Sequence, residues 1–267
     1  MLENISEFND YTIAASDGTI GKVSDFLFDD ASWSLRWLVL DTGNWLSGRK
    51  VLLPLSVLGH PDPTLRQFAV RLTKKEIEDS PGINTDRPVS RQMETNLYDH
   101  YGWTPYWGPY FGGYGYYGGL LVGTTPPGTI RREQQLAAEQ RKADNPHLRS
   151  IAEIVGYHIG ATDGEVGHVQ DIIVEDVDWS IHYLVVDTKN WWPGKKVLIS
   201  PGSVEEISWE HRRLSVNVER QRVKDAPAYD ASKRIDRLYE RNFQGHYGAA
   251  KSHGTSSSGT ALHDHQS

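Results

Sequence analysis

The chain contains no cysteine. That excludes a disulfide framework, a thiolate metal site and a cysteine nucleophile, and it leaves the compartment open, because both reducing and oxidising spaces hold Cys-free proteins. Long apolar runs are also missing. No stretch approaches the roughly 20 residues that a membrane helix needs, so no transmembrane segment is expected. The first ten residues, MLENISEFND, have no basic segment followed by an apolar one and do not read as a signal peptide. There is no basic excess either: 28 Lys plus Arg stand against 35 Asp plus Glu, a formal net charge of -7. Phosphate contacts carry most non-specific nucleic-acid affinity, so nucleic acid is not expected as a partner. A cytoplasmic protein is the expectation, held at a membrane only through a partner.

What the chain does have is a repeat. Residues 17–54, DGTIGKVSDFLFDDASWSLRWLVLDTGNWLSGRKVLLP, return at 163–200 as DGEVGHVQDIIVEDVDWSIHYLVVDTKNWWPGKKVLIS, displaced by 146 positions without a gap. Residues 11–102 align on 157–248 with about one third of positions identical. A duplication is the economical explanation, and it divides 267 residues into two small units with material between them.

Within each copy, Asp17-Gly18 (Asp163-Gly164) followed by Gly21 (Gly167) reads as a tight hairpin turn, since Gly adopts left-handed backbone at no steric cost. Lys22–Phe28, Trp33–Leu40 and Lys50–Leu53 are short runs rich in β-branched and aromatic residues, separated by Asp, Asn and Gly. They predict an antiparallel meander or small barrel. A further strand is expected over Gln67–Leu72 (Arg213–Val218). Thr73-Lys-Lys-Glu76 is a capping-box pattern opening a short helix closed by Pro81. Val89, Met93, Leu97 and Tyr101 then recur every four residues, as do Ile235, Tyr239, Phe243 and Tyr247. Each set predicts a helix with one apolar stripe, buried against its own barrel.

Two segments have no counterpart. Residues 103–128 open with WTPYWGPYFGGYGYYGG, an aromatic and Gly-rich loop without helical or strand period, and 129–150 read as a helix-prone linker. The domains are therefore expected at 1–102 and 151–248, with a disordered tail over 249–267.

The DGxxGxVxD turn and strand, the central WLVLDT strand and the GxKVLLP strand together resemble the PRC-barrel family. It includes the cytoplasmic barrel of the photosynthetic reaction centre H subunit and, more distantly, the C-terminal domain of the ribosome-maturation factor RimM. The resemblance covers both copies and implies a mainly β fold: two tandem small antiparallel barrels, each followed by a C-terminal helix. It also implies a module that docks on another macromolecule. Unlike in an H-type subunit, no membrane helix is expected ahead of the barrel, and two barrels are expected where RimM has one.

Shared carboxylates invite a metal or acid-base reading, but Asp17, Asp25, Asp41 and their counterparts Asp163, Asp171 and Asp187 occupy turn and strand positions where a carboxylate accepts backbone N–H groups. With Gly18, Gly21, Gly164 and Gly167 they are assigned structural roles. No calcium-loop spacing, nucleophile elbow, P-loop, dinucleotide fingerprint or His-Glu-x-x-His occurs. No catalytic residue, metal or cofactor is therefore expected, and a metal-dependent enzyme is the remote alternative. The candidate partner-binding residues are aromatics on loops: Trp45, Trp191 and Trp192 in the hairpins, and Trp103, Tyr106, Trp107, Tyr110 and Phe111 in the insertion. For Trp45 and Trp191 a lid that closes the barrel end is the first reading and a partner anchor the second, whereas Trp192, which replaces Leu46, reads more as an anchor. The expected function is a non-enzymatic adaptor for a protein partner or complex, the alternative a peripheral accessory of a membrane photosynthetic or electron-transfer complex. Homo-oligomerisation stays open.

Overall fold

The computed structural model of the chain describes residues 1–46, 48–80, 91–102, 148–188, 195–233, 235 and 237–247. The fold is mainly β, in two sheets. Repeat 1 contributes β1 (Leu2–Asn4), β2 (Thr12–Ala15), β3 (Gly18–Asp29), β4 (Ser34–Asp41), β5 (Lys50–Pro54) and β6 (Gln67–Ala69), followed by helices α1 (Lys74–Glu78) and α2 (Arg91–Tyr101). Repeat 2 contributes β7 (Leu148–Ser150), helix α3 (Ile151–Ile154), β8 (His158–Ala161), β9 (Gly164–Glu175), β10 (Ile181–Asp187), β11 (Lys196–Ile199), β12 (Val204–Ser208) and β13 (Arg213–Val216), then α4 (Arg220–Asp225) and α5 (Arg237–Tyr247).

The turn residues act as their chemistry requires. Gly21 and Gly167 have φ of 152° and 146°, and a Cβ on either would lie 2.1 Å from the carbonyl oxygen of Asp41 or Asp187. Only glycine lets these strands approach so closely. Thr73 accepts from the Glu76 N–H at 3.3 Å and donates its own N–H to the Glu76 carboxylate at 2.7 Å, a complete capping box for α1.

β4 reads as a nearly continuous apolar run because both its faces are covered. Leu35, Leu38 and Leu40 point into the core with Val23, Phe26, Phe28, Val51 and Leu53. Trp37 and Val39 face the other way, where α2 closes over them with Leu97 and Tyr98. Repeat 2 repeats the arrangement, with Tyr183, Val185 and Leu198 beneath Phe243 of α5. Val89 of the expected stripe lies outside the described residues.

The structure departs from the expected antiparallel barrels in three respects. The sheets run β5-β4-β3-β2-β6 and β11-β10-β9-β8-β13-β12, and neither closes on itself among the described residues. One pairing in each is parallel: β6 lies beside β2, with Ile13 opposite Phe68, and β13 beside β8, with Ile159 opposite Leu214. Directions of non-consecutive strands are set by the connection between them, and here the chain crosses from β5 through the 3-10 turn Leu55–Val57 before returning. Finally, the end of the linker expected over 129–150 is strand β7. The remainder of that linker, with 103–128 and 249–267, lies outside the described residues.

The third departure has the largest consequence. β7 does not join its own repeat but pairs antiparallel with β3 of repeat 1, Leu148 opposite Asp29 and Ser150 opposite Leu27. Reciprocally, β1 pairs with β9 of repeat 2, Leu2 opposite Glu175 and Asn4 opposite Ile173. These pairings are related by the same offset of 146, so the duplication begins at Leu2 and Leu148 rather than at Tyr11 and Tyr157. The two repeats exchange their first strands, and one hydrophobic cluster takes side chains from both.

Candidate functional site at the repeat junction

The exchange is held by two equivalent pairs of contacts. At the centre, β4 and β10 meet at their starts: Leu35 N–H donates to Trp179 O at 2.9 Å and Ile181 N–H to Trp33 O at 2.8 Å, flanking an antiparallel bridge between Ser34 and Ser180. Each donor and acceptor is the counterpart of the other, so a pseudo-twofold axis passes between the two serines. Trp33 and Trp179 hold positive φ of 51° and 61°. Such backbone is uncommon for a bulky residue and persists where the surroundings enforce it. Here the inter-repeat bonds and the indole packing do so: Trp179 stacks on Phe26 at 6.2 Å between centroids and contacts Phe8 and Phe68 at 6.0 and 6.1 Å.

Next outward are Asp25 and Asp171. The Asp25 carboxylate accepts from Ser150 Oγ at 2.5 Å and Ala152 N at 3.1 Å, both in the segment donated by repeat 2. Asp171 accepts from Ser6 Oγ at 2.5 Å and Ser6 N at 3.3 Å in the segment donated by repeat 1. Each also takes the N–H of the residue that follows it, at 2.8 Å. Burial pushes both carboxyls above their ordinary pKa, and the hydrogen bonds offset only part of that shift. These groups tie a foreign strand to each sheet, and the donors satisfy them.

Between the donated segments lies a cleft of about 830 Å³, lined by Ser6, Ser24, Asp25, Ile151, Gln170 and Asp171 among others. A cleft of this size at a domain boundary is where small ligands commonly bind. Among the described residues, however, no group of three or more His, Asp or Glu is placed to hold a metal ion.

The other repeated carboxylates have local tasks. Asp17 accepts from Lys74 N at 2.9 Å and Asp163 from Arg220 N at 2.8 Å, each holding the start of a short helix against the first hairpin. Asp41 accepts from Gly43 N at 2.8 Å, and Asp187 stands opposite Lys196 in the backbone register of β10 and β11. Gly18 and Gly164 have φ of 131° and 142° in the turns. Trp45 stands on the 3-10 turn Gly43–Leu46 and is 37% exposed, outside the buried clusters. Trp103, Tyr106, Trp107, Tyr110, Phe111, Trp191 and Trp192 lie outside the described residues.

Sequence reasoning had not singled out Trp33, Trp179, Ser6 or Ser150. The signal for the tryptophans was present in the Trp-Ser pair that both copies keep at 33–34 and 179–180. For the donated segments it was faint: LENISEF and LRSIAEI share Leu, Ile and Glu.

The chain belongs to the PRC-barrel domain family. That family's model matches residues 2–70 and 146–223, more than half of the chain. Both matches begin ahead of the Tyr residues and take in the exchanged strands. Comparison with curated proteins returns no match. No described helix is long and apolar enough to cross a membrane.

Proposed function

We propose that the chain is a non-enzymatic adaptor, a rigid pair of PRC-barrel repeats that presents loop aromatics to another protein. In this reading each repeat is a small barrel completed by its C-terminal helix, α2 or α5, and the exchange fixes one barrel against the other. The observation that carries it is how the recurring side chains are used. Asp17, Asp25, Asp41, Asp163 and Asp171 all accept backbone N–H groups, whereas Trp45 is exposed on a short hairpin. Carboxylates occupied in this way hold a scaffold, and an exposed indole on a rigid loop is the usual anchor of a protein contact.

The test is affinity purification from the native cell with the intact chain, Trp45→Ala and a deletion of 103–119. Loss of a reproducible partner in either variant, with the melting temperature kept, is the expected result. An unchanged partner set in both would reject the adaptor surface.

A further inference from the structure

The cleft between the donated segments is symmetric at its centre and lopsided beyond it. Ile5 and Ile151, Ser24 and Gln170, and Asp25 and Asp171 are counterparts at the offset of 146, so the cleft straddles the pseudo-twofold axis. From there it extends over repeat 1, past Thr12, Thr19, Lys22 and Asp41. The same path in repeat 2 is built over. His158 and Glu165 stand where repeat 1 has Thr12 and Thr19, and their side chains meet across β8 and β9 at 2.9 Å. Two short hydroxyl side chains thus leave open in repeat 1 the space that a bonded pair occupies in repeat 2.

The open half offers a definite chemistry. Among the described residues, the hydroxyls of Thr12, Thr19 and Ser24 and the side-chain amides of Asn9 and Gln170 line the cleft without a hydrogen bond to protein. One charge of each sign joins them, Asp10 and Lys22, and neither is in an ion pair. The other carboxylates are engaged: Asp25 and Asp171 with the donated segments, and Asp41 with the Gly43 N–H, opposite Lys22 and Lys50 in register. No excess charge is left to call for an ion. Nor is there a platform for a flat aromatic ligand, since Phe26 is the one ring among the described lining residues and is 1% exposed. Hydroxyls and amides each donate and accept. Five of them around an apolar floor of Ile5, Ile151 and Val155 suit a neutral ligand that is itself dense in hydroxyls on an aliphatic frame.

We propose that the cleft binds a neutral saccharide. The sugar hydroxyls replace water on Asn9, Thr12, Thr19, Ser24 and Gln170, and the C–H face of the ring lies on the isoleucines. Because the ligand touches β3 together with the segments that both repeats donate, it binds only where the exchange is in place. Its binding therefore stabilises the junction by mass action.

The experiment is isothermal titration calorimetry of the full chain with glucose, mannose, maltose and maltotriose, beside spermidine as a cationic probe and glycylglycine as a zwitterionic one. At least one saccharide is expected to bind with a Kd below about 10 mM, to raise the melting temperature, and to keep its affinity as salt is added, because no net charge is paired. Thr12→His combined with Thr19→Glu recreates in repeat 1 the pair that repeat 2 carries, and should weaken binding at least about tenfold while the urea midpoint stays near that of the wild type. His158→Thr combined with Glu165→Thr, at positions that do not line the cleft, should bind as the wild type does. Ser24→Tyr, at an exposed position, narrows the cleft from its other wall should the first pair fold poorly. No saccharide bound up to about 10 mM, full binding in both cleft variants, or a preference for spermidine or glycylglycine over every saccharide would overturn the proposal.

Discussion

The indole of Trp179 enters a nest of rings in repeat 1, Phe8, Phe26 and Phe68. The positions equivalent to those rings in repeat 2 are Ile154, Ile172 and Leu214, and the ring contact of Trp33 is with Phe28 of its own repeat, at 5.6 Å. Backbone pairing at the junction is symmetric to the residue, and the side chains filling it are not. A duplicated backbone plan constrains hydrogen bonds more tightly than packing, because a ladder tolerates no register slip whereas a core accepts any filling of the right volume.

Two substitutions would expose this inequality. Trp179→Ala removes a nearly buried indole from three aromatic neighbours and is expected to cost about 3–5 kcal/mol. Trp33→Ala, at a half-buried position with one ring partner among the described residues, should cost clearly less. Urea unfolding midpoints of the two variants decide it, and equal losses would mean that the aromatic nest adds nothing. Trp179 is also the larger lesson about legibility, since its positive φ and its destination in the other repeat are tertiary choices that no local pattern announces.

The carboxylate pair should behave more evenly. Asp25→Ala and Asp171→Ala each strand a hydroxyl and a backbone N–H donated by the other repeat, for an expected loss of about 1–3 kcal/mol apiece. Their pH dependence has a definite sign. A folded-state pKa above the unfolded value of 3.8 means that the native state holds the proton more tightly. The stability these groups contribute is therefore full below pH 3.8 and declines as pH rises through their raised folded values. Compared with the Asp25→Asn, Asp171→Asn double variant, the wild type should gain in urea midpoint as pH falls through that window. A difference that is flat with pH would contradict the burial of both groups.

Much of the fold was legible. The offset of 146, the turn glycines, the capping box at Thr73 and the apolar strand over Trp33–Leu40 follow from period, propensity and composition. Two features were not. β1 and β7 are three residues long, too short to carry a period, and their exchange depends on which sheet end is open rather than on their own sequence. The parallel pairing of β6 with β2 is likewise decided by the path of the connection. At the candidate site, the structural carboxylates could be read from their turn and strand contexts, but not that Asp25 and Asp171 hold a segment of the other repeat. Trp45 could be singled out, but whether it is a lid or stands exposed depends on packing around the hairpin.

The central claim is that reciprocal exchange makes the two repeats one folding unit. Because the chain has no native cysteine, a single buried thiol can report on each half: Val23→Cys in repeat 1 and Val169→Cys at the equivalent position in repeat 2. Both thiols should become reactive at the same urea concentration, and adding Trp179→Ala should move both midpoints together. Separate midpoints, with Trp179→Ala shifting only one of them, would contradict a shared unit.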